Sequence, residues 1–369
     1  MIVDCHAHVI ENWIGAGGHP SRSIHAKYMQ RMLAFTVAKT FHARTGKPAD
    51  TKALLDPHDR GWSGLHEVSF RVGRFGQLEF TVDGEDYYVQ YMPVGMQNIE
   101  APPDLMLAQM TYVGIDHAVL QAGGAYGAMT GYNAYTQHQY PQKFTGLIHV
   151  DEAMGGTPEA LAEIDRGAQL GLKGIYHNVD GFSRHGFPWQ LDDRRLEPLW
   201  DRLQSKSLIL CIELTSGPSY DVGGYIAHVT ALGRVLDRFP RIKCHLAMGI
   251  PVQFFARGDR WEIPSEVEAV YKRDDFLIEI MFPITWGGRW DYPYKEAWPL
   301  IRDLCERFGA EKLMWGSDMP NVERFCTYQQ SLDYVMRYCD FLSADEMERI
   351  LGGNCIKLYN IPRKEKRHA

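Results

Sequence analysis

Residues 207–247 read SLILCIELTSGPSYDVGGYIAHVTALGRVLDRFPRIKCHLA. Positions 207–214 form a short apolar, β-branched run, positions 222–239 an amphipathic stretch of helix length, and positions 242–247 a second short run. A strand, a helix and a strand in that order make a βαβ unit, which pairs its strands in parallel. The same alternation extends both ways. Further strands are predicted at 118–121, 144–149, 174–176, 276–281 and 312–316, with one more inside residues 1–9. Helices are predicted near 101–113, 133–139, 157–170, 196–206, 294–308 and 342–351. Eight strands separated by helices are the number that closes a (β/α)8, TIM-like barrel of the α/β class.

The chain has 369 residues, more than the ~100–200 of an average domain but within reach of a barrel with insertions. It divides into a barrel made of residues 1–10 and 103–362, an insertion at 11–102 and a basic tail at 363–369. With 45% hydrophobic and 23% charged residues the chain has a globular composition. The net charge is −7 and the basic run Arg363, Lys364, Lys366, Arg367 is short, so nucleic-acid binding is not expected and a solvated terminus is. No stretch approaches the ~18 apolar residues of a membrane span, and Met1-Ile2-Val3-Asp4 does not begin a signal peptide. The expectation is a cytoplasmic protein with a small-molecule substrate. Seven cysteines without CxxC spacing read as reduced, buried thiols.

Within the insertion, 75–81, Asp83-Gly84 and 85–92 spell a β-hairpin, since Asp-Gly tolerates the positive φ of a tight turn. An insertion after strand 1 lies at the C-terminal end of the barrel, where it either caps a substrate or forms a peripheral or subunit contact. Two aromatic stretches, 251–264 and 283–294, follow strands 6 and 7. They supply Arg257, Trp286 and Arg289 as candidate substrate-binding residues, although a subunit interface uses the same residue types.

Chemistry concentrates in Asp4-Cys5-His6-Ala7-His8, which sets two imidazoles two residues apart at a strand end, and in Asp318, at the end of the last strand beside Gly316. Converging neutral nitrogens and an acid are what a metal ion requires. Taken with Tyr140-Pro141-Gln142-Lys143-Phe144, Gly171-Leu172-Lys173-Gly174-Ile175, Phe239-Pro240-Arg241-Ile242-Lys243, Trp315-Gly316-Ser317-Asp318-Met319-Pro320 and Ile350-Leu351-Gly352-Gly353-Asn354, these motifs resemble the amidohydrolase superfamily, in the branch of aminocarboxymuconate semialdehyde decarboxylase.

The resemblance implies a metal-dependent hydrolase or decarboxylase acting on a small carboxylated or carbonyl-bearing substrate. His6 and His8 are implied ligands, and Asp318 both ligand and proton acceptor. The chain departs from the pattern twice. Glu213 stands where a strand-5 histidine ligand is expected, and Met248 where an acid/base histidine belongs. Glutamate is a harder donor and shifts preference from zinc toward iron or manganese; methionine carries no proton. His177 and His245 are the candidates to supply catalysis or to hold a second ion, and a satisfied core histidine is the plain alternative for each. His117 is expected to be exposed. Two further readings stay open: an iron or manganese oxygenase with one or two ions, and a non-catalytic, metal-retaining subunit. A homodimer, or pairing with a homologous subunit, is expected.

Overall fold

The computed structural model describes residues 1–35, 40–59, 61–214 and 221–362; the basic tail at 363–369 lies outside them. Eight parallel strands form the centre. They are β1 (Val3–Ala7), β2 (His117–Leu120), β3 (Phe144–Gly146, resumed at Ile148–His149), β4 (Gly174–Asn178), β5 (Ile209–Glu213), β6 (Cys244–Ala247), β7 (Phe276–Ile280) and β8 (Leu313–Trp315). Pairing runs β1–β2–β3 and β3–β4–β5–β6–β7–β8. The ring closes where Ala7 bridges Met319, with His8 N donating to Met319 O at 2.8 Å and Asp318 N to His6 O at 2.7 Å. The TIM-like barrel expected from the alternation is therefore the fold, with strand limits shifted by one or two residues.

Side chains alternate between two buried layers, as the period of two requires. Cys211, Ala247, Leu277 and Met314 point inward and pack with Cys355, Leu358 and Tyr359 of the last helix (Asn354–Tyr359), which plugs the interior. Leu210, Ile212, Leu246, Ile278 and Trp315 point outward against helices such as Val222–Arg238 and Ala297–Phe308. The cysteines are free, and all but Cys305 are buried. His117 is not exposed. It is 1% accessible and bonded to Gln142 O at 3.2 Å and Thr145 Oγ1 at 2.9 Å, because the strand begins at His117 itself and its ring lies over β3.

The segment after β1 contains a helix, Arg22–Phe35, and a five-stranded antiparallel sheet with its own core around Trp13, Met29, Leu33, Leu78, Phe80 and Val89. Its hairpin pairs Gln77–Val82 with Glu85–Gln90, and Asp83 and Gly84 take φ of 51° and 79° at the turn. The helix is absent from the sequence reading; its apolar residues do not form a clean stripe. This segment lies over the C-terminal end of the barrel: Trp13 meets Tyr126, beyond β2, at 5.8 Å between ring centroids. No helix among the described residues is long and apolar enough to cross a membrane.

Candidate metal centre

Strand β1 does not keep a regular register with β2. Asp4 pairs with Ala118 and Ala7 with Leu120, so three steps on one strand match two on the other. Such a bulge re-aims side chains, and here both Cys5 and His6 face Glu279: Cys5 Sγ is 3.8 Å from Oε1 and His6 Nδ1 is 2.9 Å from Oε2. Asp4 anchors the bulge from behind. It accepts from His6 N, Ser317 N and Tyr328 OH at 3.1, 3.0 and 2.7 Å, and from Ser317 Oγ at 2.5 Å. Burial outweighs these bonds and lifts its carboxyl to about 6. Gly316 permits the crossing, since a Cβ there would lie 2.9 Å from His6 Cβ and 3.1 Å from Cys5 Sγ.

His6, His8 and Asp318 converge. They are 2%, 3% and 3% exposed. His8 Nε2 lies 2.8 Å and His6 Nε2 3.7 Å from Asp318 Oδ1. The opposite nitrogens are committed: His6 Nδ1 to Glu279, and His8 Nδ1 to the backbone oxygen of Gln121 at 3.1 Å. A carbonyl oxygen only accepts, so His8 Nδ1 carries a hydrogen, and Nε2 is the nitrogen turned toward the carboxylate. Two imidazole nitrogens and a carboxylate oxygen facing one another form a set of three ligand atoms that fits a divalent cation. Asn321 Nδ2 holds the other oxygen, Oδ2, at 2.8 Å, and Tyr126 stacks on His8 at 4.4 Å. Asp318 itself sits at φ 64°, a left-handed strain concentrated at the site.

Glu279 is the hub beneath. Its Oε1 meets His245 Nε2 at 2.6 Å and Gln121 Nε2 at 2.8 Å; its Oε2 meets His6 and Met248 N, the latter at 2.7 Å. Burial opposes its charge, but His6 and His245 hold the carboxyl well below the usual range. Burial likewise opposes a proton on His6, yet Glu279 prevails and raises it to about 9. Asp318 stays below the ordinary range although burial opposes this, through its bond to His8.

The remaining sequence candidates take different places. His245 faces inward but lies at the floor, with Nδ1 2.7 Å from Tyr359 OH; with Cys5 and Glu279 it forms a second group of ligand type. His177 pairs in register with outward-facing Ile212, so its ring lies among Phe182 and Trp200 in the helix layer, away from the convergence. Glu213 reaches the mouth of the barrel, where Tyr176 OH and Asn178 Nδ2, the latter at 2.8 Å, engage its Oε2. Burial raises its carboxyl above the ordinary value. Met248 joins through its backbone at φ 65°. Arg257 is on an exposed hairpin 3.8 Å from Glu262, and Arg289 covers Trp286 at 4.4 Å; among the described residues neither pair touches the converging groups. Glu279, Gln121 and Tyr126 escaped the sequence reading. A lone glutamate inside Phe276-Leu277-Ile278-Glu279-Ile280 was the available signal, because an acid is almost never fully buried without a partner.

A family model described as amidohydrolase matches residues 3–361. An L-fucono-1,5-lactonase from Burkholderia ambifaria is 28% identical over 182 residues, covering 47% of this chain and 57% of the lactonase. The match thus spans little more than half of that relative. An uncharacterised TIM-barrel protein from Bordetella bronchiseptica superposes with a TM-score of 0.55 at 17% identity, covering 98% of both chains. A 2,6-dihydroxybenzoate decarboxylase from Rhizobium superposes at 0.52 and 15% identity, covering 74% of this chain and 90% of its own. At these identities the superpositions speak for the fold.

Proposed function

This chain belongs to the amidohydrolase family, and from that premise we propose a metal-dependent hydrolase or decarboxylase acting on a small carboxylated or carbonyl-bearing substrate at His6, His8 and Asp318. The observation that carries the reading is the committed Nδ1 of each histidine, which leaves both Nε2 atoms turned to Asp318 Oδ1. Two imidazoles and one carboxylate with positions left open are the donor set of catalytic zinc sites. We therefore propose one divalent ion, zinc ahead of manganese or iron, since Glu213, the harder donor, is engaged by Tyr176 and Asn178.

A bound ion would polarise a substrate carbonyl and bring the pKa of a coordinated water toward neutrality. The chain's own groups divide the rest. Asp318 enters as a carboxylate and receives a proton at Oδ2, the oxygen that Asn321 fixes. Glu279 orients the His6 ring, and the Gln121 backbone orients that of His8. Glu213, protonated more readily than an ordinary glutamate, is a second proton carrier at the mouth. Two carboxyl groups thus stand in for the histidine missing at Met248, which favours an enzyme over a metal-retaining subunit. The oxygenase reading drew its extra ligands from Glu213, His177 and His245, and His245 is taken up by Glu279 and Tyr359. His177 faces the helices, so that set is not assembled.

The test is to strip the protein with a chelator and assay it on sugar lactones by proton release and on hydroxybenzoic acids by carbon dioxide release. One activity should return only with added divalent ion, and Asp318→Asn should lower it by about 10²-fold or more. Undiminished turnover in excess chelator would refute the proposal.

A further inference from the structure

The turn that carries Asp318 also carries a cation. Val322 N donates to Asp318 O at 3.0 Å, Asn321 Nδ2 to Asp318 Oδ2, and Arg324 Nε to Asn321 O at 3.3 Å. Three residues in succession therefore tie the Arg324 guanidinium to the carboxylate of the metal centre. It lies over two rings: Tyr91, from the segment covering the barrel, at 5.6 Å, and Phe325 at 5.2 Å. Arg324 is half-buried, and among the described residues no carboxylate lies within 4.0 Å of it. Of its five N–H donors only Nε has a partner there, so the fork of Nη1 and Nη2 is uncommitted.

A guanidinium packed on rings with its fork free meets a carboxylate through two parallel hydrogen bonds. The sequence candidates for substrate binding, Arg257 and Arg289, lie at the surface; Arg324 lies beside the chemistry.

We propose that Arg324 determines specificity by taking a carboxylate of the substrate, so that the substrate carries an anionic group in addition to the group presented to His6, His8 and Asp318. The proposal rests on the metal-centre reading above and names its substrate class. A neutral lactone would leave the fork empty, whereas a carboxylic acid with a second carboxyl or carbonyl a short span away would fill both positions.

The probes are glutarate and monomethyl glutarate, titrated calorimetrically into the zinc-loaded protein. Both carry a carboxylate for the metal, and only the first carries another. The wild type should bind the dianion about 10- to 100-fold more tightly, the range of a charge-assisted pair. Arg324→Met should abolish that preference while zinc content and melting temperature stay unchanged. Arg324→Lys, which keeps the charge and covers the same rings without the fork, should keep part of it, and this variant carries the test if Arg324→Met fails to fold. Equal affinity for both probes in the wild type, or an undiminished preference in Arg324→Met, would overturn the proposal. Zinc is counted on the same samples. A wild type that holds none overturns the metal-centre reading and this proposal with it, whereas normal zinc without a preference overturns this proposal alone.

Discussion

Replacing Glu279 by glutamine keeps the shape of the hub and removes its charge. The four nitrogens around it divide into two pairs, His6 Nδ1 and Met248 N on Oε2, and Gln121 Nε2 and His245 Nε2 on Oε1, where the weaker Cys5 thiol also points. An amide can keep only one pair as it stands. The Oε1 side gives way more easily, because His245 can move its hydrogen to Nδ1 and donate it to Tyr359 OH, 2.7 Å away. Gln121 cannot follow, since its Nε2 also donates to Cys5 O at 3.0 Å. One buried donor is then left facing another, at a cost of about 1–3 kcal/mol in stability. His6 keeps an acceptor but loses the anion that makes its ring a strong ligand. Loss of such a supporting carboxylate weakens metal binding by about 10- to 100-fold, or about 1.4–2.7 kcal/mol. A competition titration of zinc against a chelator indicator, with a thermal melt of the metal-free protein, reads both effects. Zinc affinity of Glu279→Gln within twofold of the wild type would refute the role given to Glu279.

Stability should fall steeply in mild acid. Burial lowers His117 and His228 to about 4 and His149 and His177 to about 3; each favours folding fully above about pH 6.5, its unfolded value, and loses that contribution as the pH drops toward 4. At these four sites the unfolded chain then binds up to four extra protons, a slope of up to about 5 kcal/mol per pH unit that Asp4, raised to about 6 and protonated first in the folded chain, partly offsets; a melting temperature unchanged between pH 7.5 and 5 would contradict this. Among the described residues His177 has no hydrogen-bond partner on either ring nitrogen, and it lies in the helix layer, so His177→Leu should raise stability by about 1–2 kcal/mol and leave turnover intact. A large loss of turnover in that variant would return His177 to the chemistry.

The barrel was legible because each strand is a short apolar run and each helix has one apolar face, so pattern and burial coincide from β2 onward. The convergence at His6, His8 and Asp318 was legible because all three stand at strand ends. What stayed hidden depends on register. Nothing in Gly174-Ile175-Tyr176-His177-Asn178 says which parity faces inward; only pairing with β5 aligns His177 with Ile212 and Asn178 with Glu213. Glu213 looked like a ligand because its position along β5 is that of one, and its engagement by Tyr176 and Asn178 on the adjacent strand is a tertiary fact. Arg324 sits in an aperiodic turn, and its neighbour Tyr91 is more than 200 residues away in the chain, so no local pattern announces the pair.

The most direct measurement is anomalous diffraction from crystals of zinc-loaded protein, recorded on either side of the zinc absorption edge. One peak per chain is expected, about 2.0–2.2 Å from His6 Nε2, His8 Nε2 and Asp318 Oδ1, and it should be absent from His8→Ala crystals treated in the same way. A peak bound by other residues, or none at full zinc load, would contradict the assignment of these three side chains to a metal ion.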